Sequence, residues 1–247
     1  MTECIVGATT PYASDRLGIS EKPDLALTRV IILGAGKFGR RAARLLRQAL
    51  PLLELIVVDQ HLAPLEEVRR QDPAAHLLAA DGPAWAAAAL PRLHPGDYLL
   101  PCLPGQVAFE ILRLSVLAPP EWQTVPVPPE LEAVAPVAFR GAAGELYLSR
   151  AAHLCPEDCG EPEVCPVDGL PRRPGLDEVL AGFCLPGWQI RVLSSRLLLP
   201  GVGGFTVAAF RRLAEVPLPL PSRLLLATAC RCHGVVHAVE RHGGPGE

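Results

Sequence analysis

The chain is almost without lysine: of its 23 basic residues only Lys22 and Lys37 are not arginine. Aromatic residues make up 5% of the 247 positions and the formal net charge is -3. With no positive field to draw a phosphate backbone, nucleic acid is not an expected partner. Long apolar runs are missing too. The two most apolar stretches, 197–210 and 218–229, are broken or bounded by prolines, glycines and arginines, and neither reaches the ~20 residues of a bilayer span. Membrane insertion is therefore not expected. The first 27 residues carry scattered charges and no h-region, which reads as no secretory signal and places the protein in the cytoplasm. No Ser-His-Asp order, paired-carboxylate site or internal repeat stands out.

Apolar residues make up 49% of the chain and charged residues 20%, ample material for a core. From Thr28 the pattern is regular. Val30-Ile31-Ile32-Leu33 reads as a buried strand, 40–50 as a helix, 53–58 as a second strand, and 64–70 as a short charged helix. A third strand is expected at 76–80 with its helix at 84–90, then a fourth strand at 97–102 and a helix at 106–117. This alternation implies an α/β fold, a Rossmann-like doubly wound parallel sheet. Six prolines between 119 and 136 break the period and suggest a boundary. The expected organisation is an N-terminal extension over 1–27, a dinucleotide-binding domain over 28–118, a smaller cysteine-rich α+β domain over 119–241, and a disordered tail over 242–247. A helix is expected at 176–183 and a strand around 234–236.

Gly34-Ala35-Gly36-Lys37-Phe38-Gly39 is a G-x-G-x-x-G placed directly after a strand and opening a helix. The first glycine permits the turn, the second admits a diphosphate close to the backbone, and the third packs helix on strand. Free N–H groups at the helix start then face the anion. Asp59 ends the second strand twenty residues beyond Gly39, where a carboxylate grips ribose hydroxyls and disfavours a 2′-phosphate, so NAD(H) is the expected cofactor. Lys37 and Gln60 are further candidates for phosphate and ribose contacts, and Phe38 lies within the loop. The bland alternative is a glycine turn that serves packing alone.

Eight cysteines without an export signal read as thiols or ligands, not as a disulfide framework. Cys155, Cys159 and Cys165 fall within eleven residues; Cys230, Cys232 and adjacent His233 follow sixty-five residues later. The set suits a tetrahedral zinc or an iron-sulfur cluster. Redox-active thiols and buried cysteines are the competing readings, and neither half shows a C-x-x-C pairing. Glu157, Asp158, Glu161 and Glu163 surround the thiols, and their repulsion argues against thiolates without a cation. His153 reads as an extra ligand, an acid-base group or a surface histidine. Cys102 ends the fourth strand, where open α/β sheets bind ligands, and Gln106 shares that rim.

The segments VIILGAGKFGRRAARLL, LELIVVDQ and HLLAADG together resemble the N-terminal nucleotide-binding domain of RCK (regulator of potassium conductance, TrkA-N-like) proteins, over residues 29–117. The resemblance implies NAD(H) or adenine-nucleotide binding at Gly34, Gly36, Gly39 and Asp59, and adds Asp81 as the counterpart of an acid after the third strand. There the family's G-D-A reads Ala80-Asp81-Gly82. The second half resembles a bacterial group that joins such a domain to a C-P-x-x-C-x-E-P motif and a C-terminal C-x-C-H. The leading expectation is an NAD(H)-binding protein with a cysteine-ligated metal or iron-sulfur site, sensing redox or nucleotide state. One alternative is an NAD-dependent oxidoreductase with the nicotinamide near Cys102 and Gln106 and His153 as proton donor. Another is a regulatory subunit of a potassium transport system, as a homodimer or with a membrane transporter as partner.

Overall fold

The computed structural model describes residues 27, 29–117, 121–215 and 222–241. The expected extension, apart from Leu27, and the expected tail lie outside them. Elements run β1 (Arg29–Leu33), α1 (Lys37–Ala49), β2 (Glu54–Asp59), α2 (Leu62–Gln71), β3 (His76–Ala79), α3 (Gly82–Ala89), β4 (Tyr98–Pro101) and α4 (Val107–Ser115). After these come β5 (Trp122–Val125), β6 (Val137–Arg140), β7 (Leu146–Ser149), α5 (Leu176–Ala181), β8 (Gln189–Ser194) and β9 (Arg196–Leu199). The chain ends with β10 (Val202–Thr206), α6 (Val207–Glu215), β11 (Ser222–Ala229) and β12 (His233–Arg241).

The protein is α/β, built on two mixed sheets. In the first, β3-β2-β1-β4 are all parallel, as continuous apolar strands require when both faces are covered. One face, through Val30, Ile32, Leu55 and Val57, packs on Ala42, Ala43 and Leu46 of α1 and Leu65 and Val68 of α2. The other, through Ile31, Leu33 and Leu99, packs on α3, α4 and α6. Beyond β4 the sheet departs from a parallel design. β10 runs antiparallel to β4, and β9 antiparallel to β10, so a hairpin from the second half of the chain closes that edge. Gly204 makes the approach possible, because a Cβ there would overlap the Leu99 carbonyl oxygen. The Gly203-Gly204 pair therefore lies inside a strand, with a register shift at Val202/Gly203.

The second sheet runs β6-β7-β12-β11-β8, with β5 also paired to β12. Leu224, Leu226 and Val239 on one face join the core that contains α4 and α6; Leu225, Ala227 and Val236 on the other pack on Leu176 and Leu180 of α5. The α4–α6 layer is thus shared by both sheets. Among the described residues no helix is long and apolar enough to cross a membrane.

Candidate functional site

At the C-terminal end of β1 the chain turns sharply through Gly34, whose φ of 105° suits glycine. Gly39, on the first turn of α1, sits so close beneath that a Cβ would overlap the Gly34 carbonyl oxygen. Gly36 is the opposite case: a Cβ there would meet nothing within 4 Å. The loop is closed below and open above. Asp59, 7% exposed, lies against it, its Oδ2 accepting from the Ala35 N–H at 2.7 Å and its Oδ1 from the His61 N–H at 2.8 Å. Gln60 pairs with the His61 ring at 3.2 Å, and Phe38 is exposed. Asp81, carried over from the family resemblance, caps α3 by accepting from the Ala84 N–H at 2.9 Å. Lys37 is paired with Glu157 at 2.5 Å.

That pair joins the two motifs found in the sequence. Glu157 belongs to the loop between β7 and α5, which carries Cys155, Cys159 and Cys165, and it also approaches Arg41 at 3.9 Å. Lys37 holds the Glu157 carboxyl below its usual range, first through their hydrogen bond. The Gly201 N–H donates to the Cys159 carbonyl at 3.0 Å, and Arg231 Nη1 donates to the Glu161 carbonyl at 2.8 Å. The cysteine loop is thereby fixed between α1, the β9–β10 turn and the β11–β12 hairpin. Glu161 itself adopts a positive φ of 49°, in the left-handed region that residues other than glycine adopt uncommonly.

Within the loop, sulfur and nitrogen donors converge. His153 Nε2 lies 3.7 Å from Cys165 Sγ, and His233 Nε2 lies 3.7 Å from Cys155 Sγ. The ligating atoms of His153, Cys165 and Asp168 all fall within 4.8 Å of one another. A cavity of about 300 Å³ opens here, lined by His153, Cys155, Pro156, Cys159, Cys165 and Val167 among others. His153 turns its other nitrogen, Nδ1, to Asp168 Oδ2 at 3.4 Å. Asp168 is held in turn by the Leu170 N–H at 2.9 Å and by Arg172, and its carboxyl is depressed chiefly by that backbone N–H. Arg172 is 2% exposed, and its Nε, buried, has no hydrogen-bond partner. Two sulfur and two imidazole donors drawn together in pairs, with the Asp168 carboxylate behind one of them, are a donor set that fits a metal. Burial raises the Cys155 and Cys232 thiols and lowers His233.

The remaining candidates are placed differently. Cys230 accepts from the His233 N–H at 3.4 Å within the hairpin turn, and burial, then Glu161, drive its thiol up. Cys102 is pushed up to about 12 by burial, an inert neutral thiol. Gln106, expected on a ligand rim, is 7% exposed and engaged inside the fold, donating to Thr228 Oγ1 at 2.7 Å and facing His237 Nδ1 at 2.9 Å. His237 stacks on Phe109 at 4.0 Å, and burial pushes its pKa down to about 4. His153 lies within the cysteine loop, not over the strand ends. Asp168, Arg172 and Glu157 were not singled out as site residues from sequence. The acidic run around the cysteines was the available signal, but only the folded loop separates Glu157 and Asp168 from their neighbours.

The family described as "Uncharacterized protein, C-terminal domain" matches residues 106–242. An "Uncharacterized protein" of Archaeoglobus fulgidus is 31% identical over 232 residues, spanning 85% of this chain and 99% of its own. No solved structure matches.

Proposed function

This chain belongs to the family of that C-terminal domain, and we propose that it binds an adenine dinucleotide, NAD(H), at a glycine loop working beside a cysteine- and histidine-held metal centre. Its role is sensing of nucleotide or redox state. The observation that carries the reading is the posture of residues 34–39: packed so tightly below that Gly39 admits no side chain, yet clear above Gly36. Diphosphates take that one side of a β-turn-α loop, against free main-chain amides. Asp59, at the end of β2 and beside Ala35, supplies the carboxylate for the adenosine ribose. The likeness of residues 29–117 to RCK nucleotide domains supports the same assignment.

The topology favours sensing over hydride transfer. Strands β3-β2-β1-β4 form a Rossmann-like unit that holds an adenosine phosphate, but β10 and β9 stand where a doubly wound fold carries the parallel strands for its second nucleotide. The adenosine end is therefore the gripped end. Gln106, which the oxidoreductase alternative needs at the nicotinamide, is tied to Thr228 and His237. The metal, when bound, supplies a cross-link whose thiolate ligands are open to oxidation, and Glu157 connects its loop to Lys37 and Arg41 on α1.

Calorimetry and NADH fluorescence titration test the assignment. NADH is expected to bind, ADP to compete within about tenfold of it, and NADPH to bind at least about tenfold more weakly because its 2′-phosphate meets Asp59. No heat with NADH, NAD or ADP removes the nucleotide reading.

A further inference from the structure

Deepening the metal half of that reading, we infer that the cysteine loop holds one tetrahedral zinc-class ion through Cys155, Cys165, His153 and His233, with Asp168 and Arg172 behind His153. The geometry is that of two facing edges. On a tetrahedral zinc with Zn–S about 2.3 Å and Zn–N about 2.0–2.1 Å, a sulfur and a nitrogen donor stand roughly 3.6 Å apart. Both S···N pairs, Cys155 with His233 and Cys165 with His153, measure 3.7 Å. Cys155, Cys165 and His153 line one cavity, and His233 stands against Cys155, which brings the two edges to the same place.

The surroundings of His153 are those of a ligand. Its Nε2 points to Cys165 while Nδ1 lies 3.4 Å from Asp168, a carboxylate placed to orient the ring once a metal is bound. Asp168 is anchored by the Leu170 N–H and by the buried Arg172. An iron-sulfur cluster draws on four thiolates. Here imidazole nitrogens, from His153 and His233, stand against two of the five sulfurs, an arrangement for mixed ligation. Two thiolates and two imidazoles suit zinc over harder cations.

The test uses the full chain, purified without chelator. Elemental analysis is expected to give one zinc per chain, and X-ray absorption at the zinc edge two sulfur and two nitrogen neighbours. Exchange for cobalt(II) is expected to yield the visible bands of a tetrahedral site. His153→Ala and His233→Ala, checked for folding by circular dichroism, should lose the ion, whereas Cys159→Ser and Cys232→Ser should keep one per chain. Asp168→Asn should retain it with about 10–100-fold weaker affinity. Brown protein containing iron and sulfide, no metal at excess zinc, a shell of three or four sulfurs, or loss of the ion on Cys159→Ser overturns the assignment. The X-ray absorption reading stands even where a variant fails to fold. NADH titration of the same preparations separates the two halves: nucleotide binding without zinc removes only the metal centre, and zinc without nucleotide only the glycine-loop reading.

Discussion

Gly36 and Gly39 sit three residues apart in one loop and respond oppositely to the same methyl group. At Gly39 a Cβ runs into the backbone carbonyl of Gly34, which cannot move aside as a flexible side chain would. Gly39→Ala is expected to destabilise the protein by about 2–4 kcal/mol, seen as a lowered Tm. At Gly36 the methyl meets no protein atom, so Gly36→Ala should leave Tm unchanged and weaken NADH binding at least about tenfold, the signature of a ligand-facing position. A second residue-level expectation concerns His237. Its folded-state pKa of about 4 lies below the ordinary 6.5. The neutral ring therefore contributes its stability in full above pH 6.5. As pH falls towards 4 the unfolded chain takes up the proton first, and on the order of 3 kcal/mol is lost. Denaturant midpoints measured across that window should fall with pH, and His237→Gln should flatten the slope.

Among elements, β10 shows where sequence reading succeeded and where it stopped. Strands β1, β2 and β4 and helices α1 and α4 were legible because buried parallel strands are unbroken apolar runs bounded by turn residues, and α1 shows a helical apolar stripe at Ala42, Ala43 and Leu46. The return of β9 and β10 to the first sheet was not legible. It pairs Phe205 with Leu99, more than a hundred residues away, and no local period encodes such a partner. The site divides in the same way. Cysteines announced themselves by number, and His153 by nearness to Cys155, but the chain from Lys37 to Glu157 spans 120 residues. Gly204→Val, placing a side chain against the Leu99 carbonyl, should strip the hairpin from β4 and expose the Tyr98–Pro101 backbone to hydrogen exchange. The Lys37–Glu157 pair is exposed at both ends, so Glu157→Gln should change Tm little.

At the scale of the whole molecule, the layer of α4 and α6 lies between two sheets and belongs to the core of both. Phe205, Val207 and Phe210, from the second half, pack with Ile31, Leu33 and Leu99 of the first. One cooperative unfolding transition is expected, with coincident near- and far-ultraviolet circular dichroism curves. A fragment of residues 28–118 loses those three side chains and leaves β4 an open edge, so it should aggregate or stay partly folded. The stretch matched to the family begins at Gln106, at the mouth of α4, so the module's first helix is also the lid of its neighbour's hydrophobic interior. Any relative in which a different partner stands upstream must supply its own oily underside to rest on that helix, which makes recombination at this seam a problem of surface matching, not of linker length.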